Sequence, residues 1–212
     1  MSASRDALIQ ETTGFDFPYA EEGRVFLEQE ERAVIHIEYS PDAIPTFAQI
    51  PELSRRYMRT YGDYASDKIS LGIRVRAMRA REAVSRTNIL YMTEQALDMS
   101  TIITDDGEQV TFETPEDVRD RQLRFLSTVA LQPHIDLRLV PRDIIPSDLG
   151  TTILFGFKDA TQSIFTERDG GITGPITDPQ EMEPYLVGLD YLDGAAMSHE
   201  ETQVFLADSL RR

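Results

Sequence analysis

Glu94 is the residue whose type and placement point most directly to chemistry. It follows Ile89-Leu90-Tyr91-Met92, a short run of branched and aromatic residues that reads as a buried strand, and Thr93 reads as the cap of a helical turn over Glu94-Gln95-Ala96-Leu97. Glu94 is therefore expected at the carboxyl end of a strand, the edge of an open α/β sheet where ligands bind. A carboxyl group held there in a partly desolvated site can give a proton and take one back. The plainer alternative is that Glu94 only favours the positive end of the turn it begins.

Glu30 and Arg76 form the second candidate constellation. Read as a helix over 21–38, the chain gathers Phe26, Ala33, Val34 and Ile37 on one face, with Glu30 in the middle of it. A buried carboxylate needs a counter-charge or must protonate. A helix over 66–86 has the stripe Ile69, Ile73, Ala77, Ala80 and Val84, with Arg76 inside it and Arg74, Arg79 and Arg81 at or beyond its edges. Arg76 is thus the expected partner of Glu30, either as an internal clamp or as a guanidinium held to receive a substrate carboxylate in two hydrogen bonds. Glu167 alternates with Phe165 on a strand and could serve as a second pocket acid, though a surface or ion-paired role is the one expected; His134, beside Pro133, is expected in a solvated loop.

Composition narrows the classes. The 212 residues are 41% hydrophobic and 27% charged, which fits one soluble domain over 21–212 behind an amino-terminal arm over 1–20. A net charge of -16 argues against surfaces that neutralise phosphates or anionic lipid, so neither nucleic acid nor a membrane is an expected partner. No basic-then-apolar leader and no spanning apolar run are read, and a cytoplasmic protein is expected. Without Cys, and with His36, His134 and His199 far apart in sequence, disulfides, thiolate chemistry and a metal centre are not expected, nor is a cofactor.

The elements that must position these residues follow from periodicity and punctuation. Pro41 ends the first helix, Pro51 starts one that runs to about Tyr61, and Thr114-Pro115-Glu116-Asp117 starts another whose core face is Val118, Phe125, Leu126 and Val129, with Gln122 among them. The segment 101–113 around Asp105-Asp106-Gly107 reads as a hairpin or a surface excursion, Ile135 to Val140 as a strand, and Thr152 to Phe157 with Gln162 to Arg168 as an antiparallel pair. Gly170-Gly171 and Gly174-Pro175 read as a loop. A helix from Asp178-Pro179 to about Leu192 and a capped one from Ser198 complete the chain. The fold class expected is α+β (mixed α/β), a single domain with a small sheet of about four strands covered by helices.

From about Arg24 onward these ordered signals resemble the DUF5753, or Scr1-type, effector domain of actinobacterial Xre-family regulators. Glu30, Tyr39 and Pro41 are similar to its Glu-helix and Tyr-x-Pro; Ile44-Pro45-Thr46-Phe47-Ala48-Gln49-Ile50-Pro51 to Arg55 resembles its Val-Pro-Gly-Leu-Leu-Gln-Thr-Pro-x-Tyr-Ala-Arg segment. Arg81-Glu82, Thr93-Glu94-x-x-Leu97, Gln122-Leu123-x-x-Leu126, Leu139-Val140-Pro141, Phe155-x-Phe157-x-Asp159 and Glu167 follow in the family's order. No helix-turn-helix is read in this sequence, and Thr46, Phe47, Ala48 and Ile50 replace the signature's Gly-Leu-Leu and Thr, which implies a changed task.

A subgroup that resembles such a case is the bacterial Pictet-Spenglerases of β-carboline pathways, of marinacarboline and streptonigrin type. The resemblance implies a cofactor-independent cyclase that condenses tryptophan, or a modified tryptophan, with an aldehyde to a tetrahydro-β-carboline. It implies Glu94 as the acid–base residue, Arg76 or Arg81 on the amino-acid carboxylate, and Phe47, Tyr91 and Phe155 around the indole, with Gln49 in the same pocket segment. The alternative is a stand-alone sensing or antitoxin-like regulatory module that binds a small molecule or docks on a protein. Either fits a homodimer.

Overall fold

The computed structural model describes residues 7–8, 10–11, 20–61, 66–103, 109–111, 113–144, 149–168 and 171–211. These contain a six-stranded mixed sheet with helices on both faces, in the α+β class expected. Strands β1 (Ile35–Ser40), β2 (Thr87–Thr93) and β5 (Ile135–Val140) are parallel, while β6 (Thr152–Gly156), β7 (Gln162–Arg168) and β8 (Gly171–Ile176) continue from β1 antiparallel, in the order β5-β2-β1-β6-β7-β8. A separate two-stranded ladder pairs β3 (Thr101–Ile103) with β4 (Gln109–Thr111); the turn expected at Asp105-Asp106-Gly107 lies outside the described residues.

The helices are α1 (Ala20–Arg32), α2 (Pro51–Tyr61), α3 (Ser66–Glu82), α4 (Glu116–Val129), α5 (Pro179–Ala195) and α6 (His199–Ser209). Two core clusters lie on one face of the sheet. One joins Phe47, Leu90, Met92, Leu123, Leu126, Leu137 and Leu139; the other joins Phe26, Leu27, Leu71, Met78, Ile153, Phe155 and Phe165. Leu8, in the segment read as an arm, packs into the second. The opposite face carries Tyr39, Tyr91, Leu154 and Ile164 under Met182, Leu189 and Leu192 of α5.

Four expectations are corrected. The first helix ends at Arg32, and Ile35–Ser40 is a central strand, because Ile35-His36-Ile37-Glu38-Tyr39 alternates branched and polar residues at the period of a strand. The segment read as a Gly-Pro loop is strand β8, so the sheet has two strands more than the four expected, β1 being the other. Helix α3 buries Ile69, Leu71, Met78 and Arg79, while Ala77 and Val84 are exposed, because α3 packs towards α1 along a line rotated from the apolar stripe. Helix α4 begins at Glu116 after Pro115; the Thr114 hydroxyl donates to Met99 O instead of capping it.

Candidate functional site

Strand alternation puts His36, Glu38 and Ser40 on one face of β1, in register with Asn88, Leu90 and Met92 of β2 and with Phe155 and Ile153 of β6. All three polar side chains are buried in the middle of a sheet whose other positions on that face are mostly apolar. His36 Nε2 and Glu38 Oε2 lie 3.2 Å apart, and among the described residues neither atom has a hydrogen-bond partner. The imidazole sits between rings, with its centroid 5.6 Å from Phe47 and 5.3 Å from Phe155. Buried polar atoms without partners are costly, and they are where a substrate's polar groups are most strongly held.

Two guanidinium groups and a second carboxylate are electrostatically coupled to this pair. Glu30, fully buried on α1, accepts from Arg79 Nε at 2.9 and 3.1 Å and from Arg86 Nη2 at 2.8 Å, while Arg86 Nη1 donates to Glu30 O at 3.1 Å. Burial alone would raise the Glu30 pKa, but the charges of Arg79, Arg86 and His36 outweigh it and hold the carboxyl below its ordinary range. Arg79 also lies over the Phe26 ring, 4.9 Å from its centroid, and donates to Thr46 Oγ1. Burial disfavours its charge, yet Glu30 and then Glu38 more than compensate, and its pKa is raised. Arg86 is anchored further by Asn88 Oδ1 at 3.1 Å, and Asn88 Nδ2 donates to Ala83 O, Arg86 O and His134 O.

Arg76 occupies a different place. It is half-buried, one turn before Arg79, and its Nη1 donates to the neutral oxygen Gln49 Oε1 at 2.9 Å rather than to Glu30. Gln49 is fixed by donating to Ile44 O at 2.6 Å and accepting from Ser54 Oγ at 3.0 Å. Burial, then the like charge of Arg79, pushes the Arg76 pKa down to about 10, against the pull of Glu167, Tyr57 and Glu38. It remains a cation at neutral pH. Glu30 is therefore partnered by Arg79 and Arg86, not by Arg76 as expected, because Arg79 faces α1.

The other expected site residues are dispersed. Glu94 is half-buried at the carboxyl end of β2, in a 3-10 turn over Glu94–Asp98 whose cap, Thr93, accepts from Ala96 N at 3.2 Å and donates to Pro41 O. No hydrogen bond or ion pair among the described residues joins Glu94 to Arg76, Arg81 or Gln49. Arg81 is exposed and donates to Ala77 O. Tyr91 lies on the opposite face of the sheet, where its hydroxyl donates to Asp193 Oδ1 at 2.7 Å, so it forms no sandwich with Phe47 and Phe155. Phe47 and Phe155 do meet at His36, while Arg76, hydrogen-bonded to Gln49, is linked to Glu38 only through the weakest of the charges that act on it. A cleft of about 520 Å³ lies elsewhere, at the amino end of β1, between Glu31, Arg32, Phe157, Lys158 and Asp159.

Sequence reasoning missed His36 and Glu38, since a helix over 21–38 scatters them. The alternation from Ile35 to Tyr39 was the signal that could have found them. Chemically, a guanidinium such as Arg76 suits anions, and a carboxyl and an imidazole as close as Glu38 and His36 can exchange a proton. Among the described residues no group of three potential ligands is placed to hold a metal ion, and no helix is long and apolar enough to cross a membrane.

Searches of curated proteins and of solved structures find no match. A family model described as a domain of unknown function, DUF5753, matches residues 24–208, a span that includes every residue of this buried cluster, and the chain belongs to that family.

Proposed function

We propose that the protein condenses an aromatic amino acid of the tryptophan class with an aldehyde, in a Pictet-Spengler cyclisation at the Glu38–His36–Arg76 cluster. The observation that carries this reading is the buried Glu38 carboxylate oxygen, which among the described residues accepts no hydrogen bond, 3.2 Å from a His36 nitrogen in the same state. The amine nitrogen bonds to the aldehyde carbon and the carbonyl oxygen leaves as water, giving an iminium. Indole carbon then bonds to that carbon, and loss of the ring proton restores aromaticity. The sequence is redox-neutral, so no cofactor is called for.

Glu38 gives a proton to the departing oxygen and takes the ring proton, with His36 orienting it or sharing the proton. Such acid–base help is worth roughly 100- to 10,000-fold in rate. Arg76 takes the amino-acid carboxylate, for which its half-buried guanidinium is suited. On this reading the protein works in the cytoplasm.

A second reading, a small-molecule sensor without turnover, is favoured by the enclosure of the pair, since His36 is 0% and Glu38 2% exposed. Incubation with tryptophan and a panel of small aldehydes, followed by mass and chiral chromatography, separates the two. The expected result is enantioselective product that is lost with Glu38→Gln and kept with Glu94→Gln. Loss with Glu94→Gln alone returns the acid–base role to Glu94, and tryptophan-induced stabilisation without product assigns the domain as a sensor.

A further inference from the structure

Helix α5 is apolar on two sides. Met182, Leu189 and Leu192 face the sheet. With 100° per residue, Pro184, Val187, Tyr191 and Gly194 fall together on the side pointing away from it. All four are exposed, Val187 at 64% and Tyr191 at 54%. A surface helix ordinarily turns charged residues outward, and one that is apolar all round is ordinarily covered on both sides. Scattered apolar residues such as exposed Leu131 need no explanation, but a ridge two turns long on one helix does.

The charge beside the ridge has one sign. Glu181, Glu183, Asp190 and Asp193 lie on α5, and residues 177–210 contain no Lys or Arg. Asp193 is held by Arg138 at 2.9 Å and by Tyr91, whereas no described cation pairs with Glu183 or Asp190. A second copy docking ridge to ridge would bring these acids together, and a phosphate-bearing surface would be repelled as well. We infer that the outer face of α5 docks an amphipathic segment of a partner protein whose apolar residues seat on Val187 and Tyr191 and whose flanking Lys or Arg side chains meet Glu183 and Asp190. Helix-on-helix anchoring supplies the contact, and the acidic flanks supply selection and steering. This surface lies on the sheet face opposite the Glu38 cluster, so it stands or falls independently of the cyclase reading.

The test uses a labelled 18-residue Leu/Lys amphipathic helix as probe, its Leu/Glu counterpart as control, and fluorescence anisotropy on the full chain. The expected result is binding of the Lys probe alone, weakened roughly ten-fold by Val187→Ser and by Tyr191→Ser and further by high salt. Both positions are exposed, so the variants keep the fold. Absence of Lys-probe binding, or equal binding by wild type and both variants, overturns the inference. So does a sedimenting dimer that Tyr191→Ser dissolves, which would assign the ridge to a second copy.

Discussion

Replacing Glu30 with Gln keeps the shape of the side chain and removes one charge from a buried ion cluster. In the wild type, two buried guanidinium groups share that carboxylate through three side-chain hydrogen bonds of 2.8 to 3.1 Å. Removing one member of a buried pair costs about 3 to 5 kcal/mol, and the upper end is expected because both Arg79 and Arg86 lose their counter-charge. A domain of this kind is stable by about 5 to 15 kcal/mol, so the loss is a third or more of the total. Urea unfolding should give a lower midpoint at unchanged slope.

The pH profile adds a second readout. Glu30 has a folded pKa below its ordinary 4.5, so the stability it contributes is whole above that value and is lost as pH falls through the lowered one. Glu30→Gln should flatten this acid limb. A loss below about 1 kcal/mol with an unchanged acid limb would refute the reasoning, since it would mean that the cluster is solvated.

Asn88→Ala should destabilise by about 3 kcal/mol in the same unfolding assay, because three backbone carbonyls lose a shared donor and Arg86 loses an acceptor in a buried site. Tyr91→Phe removes one hydrogen bond to the exposed Asp193, so it should cost about 1 kcal/mol or less and leave tryptophan binding by calorimetry unchanged, the sheet standing between Tyr91 and the Glu38 cluster.

Local punctuation made much of the fold legible. Pro51, Asp178-Pro179 and Ser198 marked helix starts that the structure keeps, Ser198 with its full capping box. Gln122, noted among the apolar residues of α4, is buried because it closes a distant segment, accepting from Ile50 N at 2.7 Å and donating to Ala48 O at 2.8 Å. What periodicity could not supply was tertiary direction. Phe26 and Glu30 do share a face, but a helical period carried past Arg32 turned a central strand into helix and hid His36 and Glu38. Arg79 was set outside the stripe of α3 because a wheel knows nothing of Glu30 and Phe26 across the interface. Phe47 and Phe155 came together only because β1 lies between their segments.

Titration calorimetry with L-tryptophan and with tryptamine, which lacks only the carboxylate, on wild type and Arg76→Gln tests most directly whether the cluster receives a carboxylate-bearing aromatic ligand. Hydrogen bonds to a charged group are worth about 1.5 to 3 kcal/mol, so tryptophan should bind roughly 10- to 100-fold more tightly than tryptamine, and the preference should vanish in the variant. Equal affinities in the wild type, or a preference that survives Arg76→Gln, would contradict it.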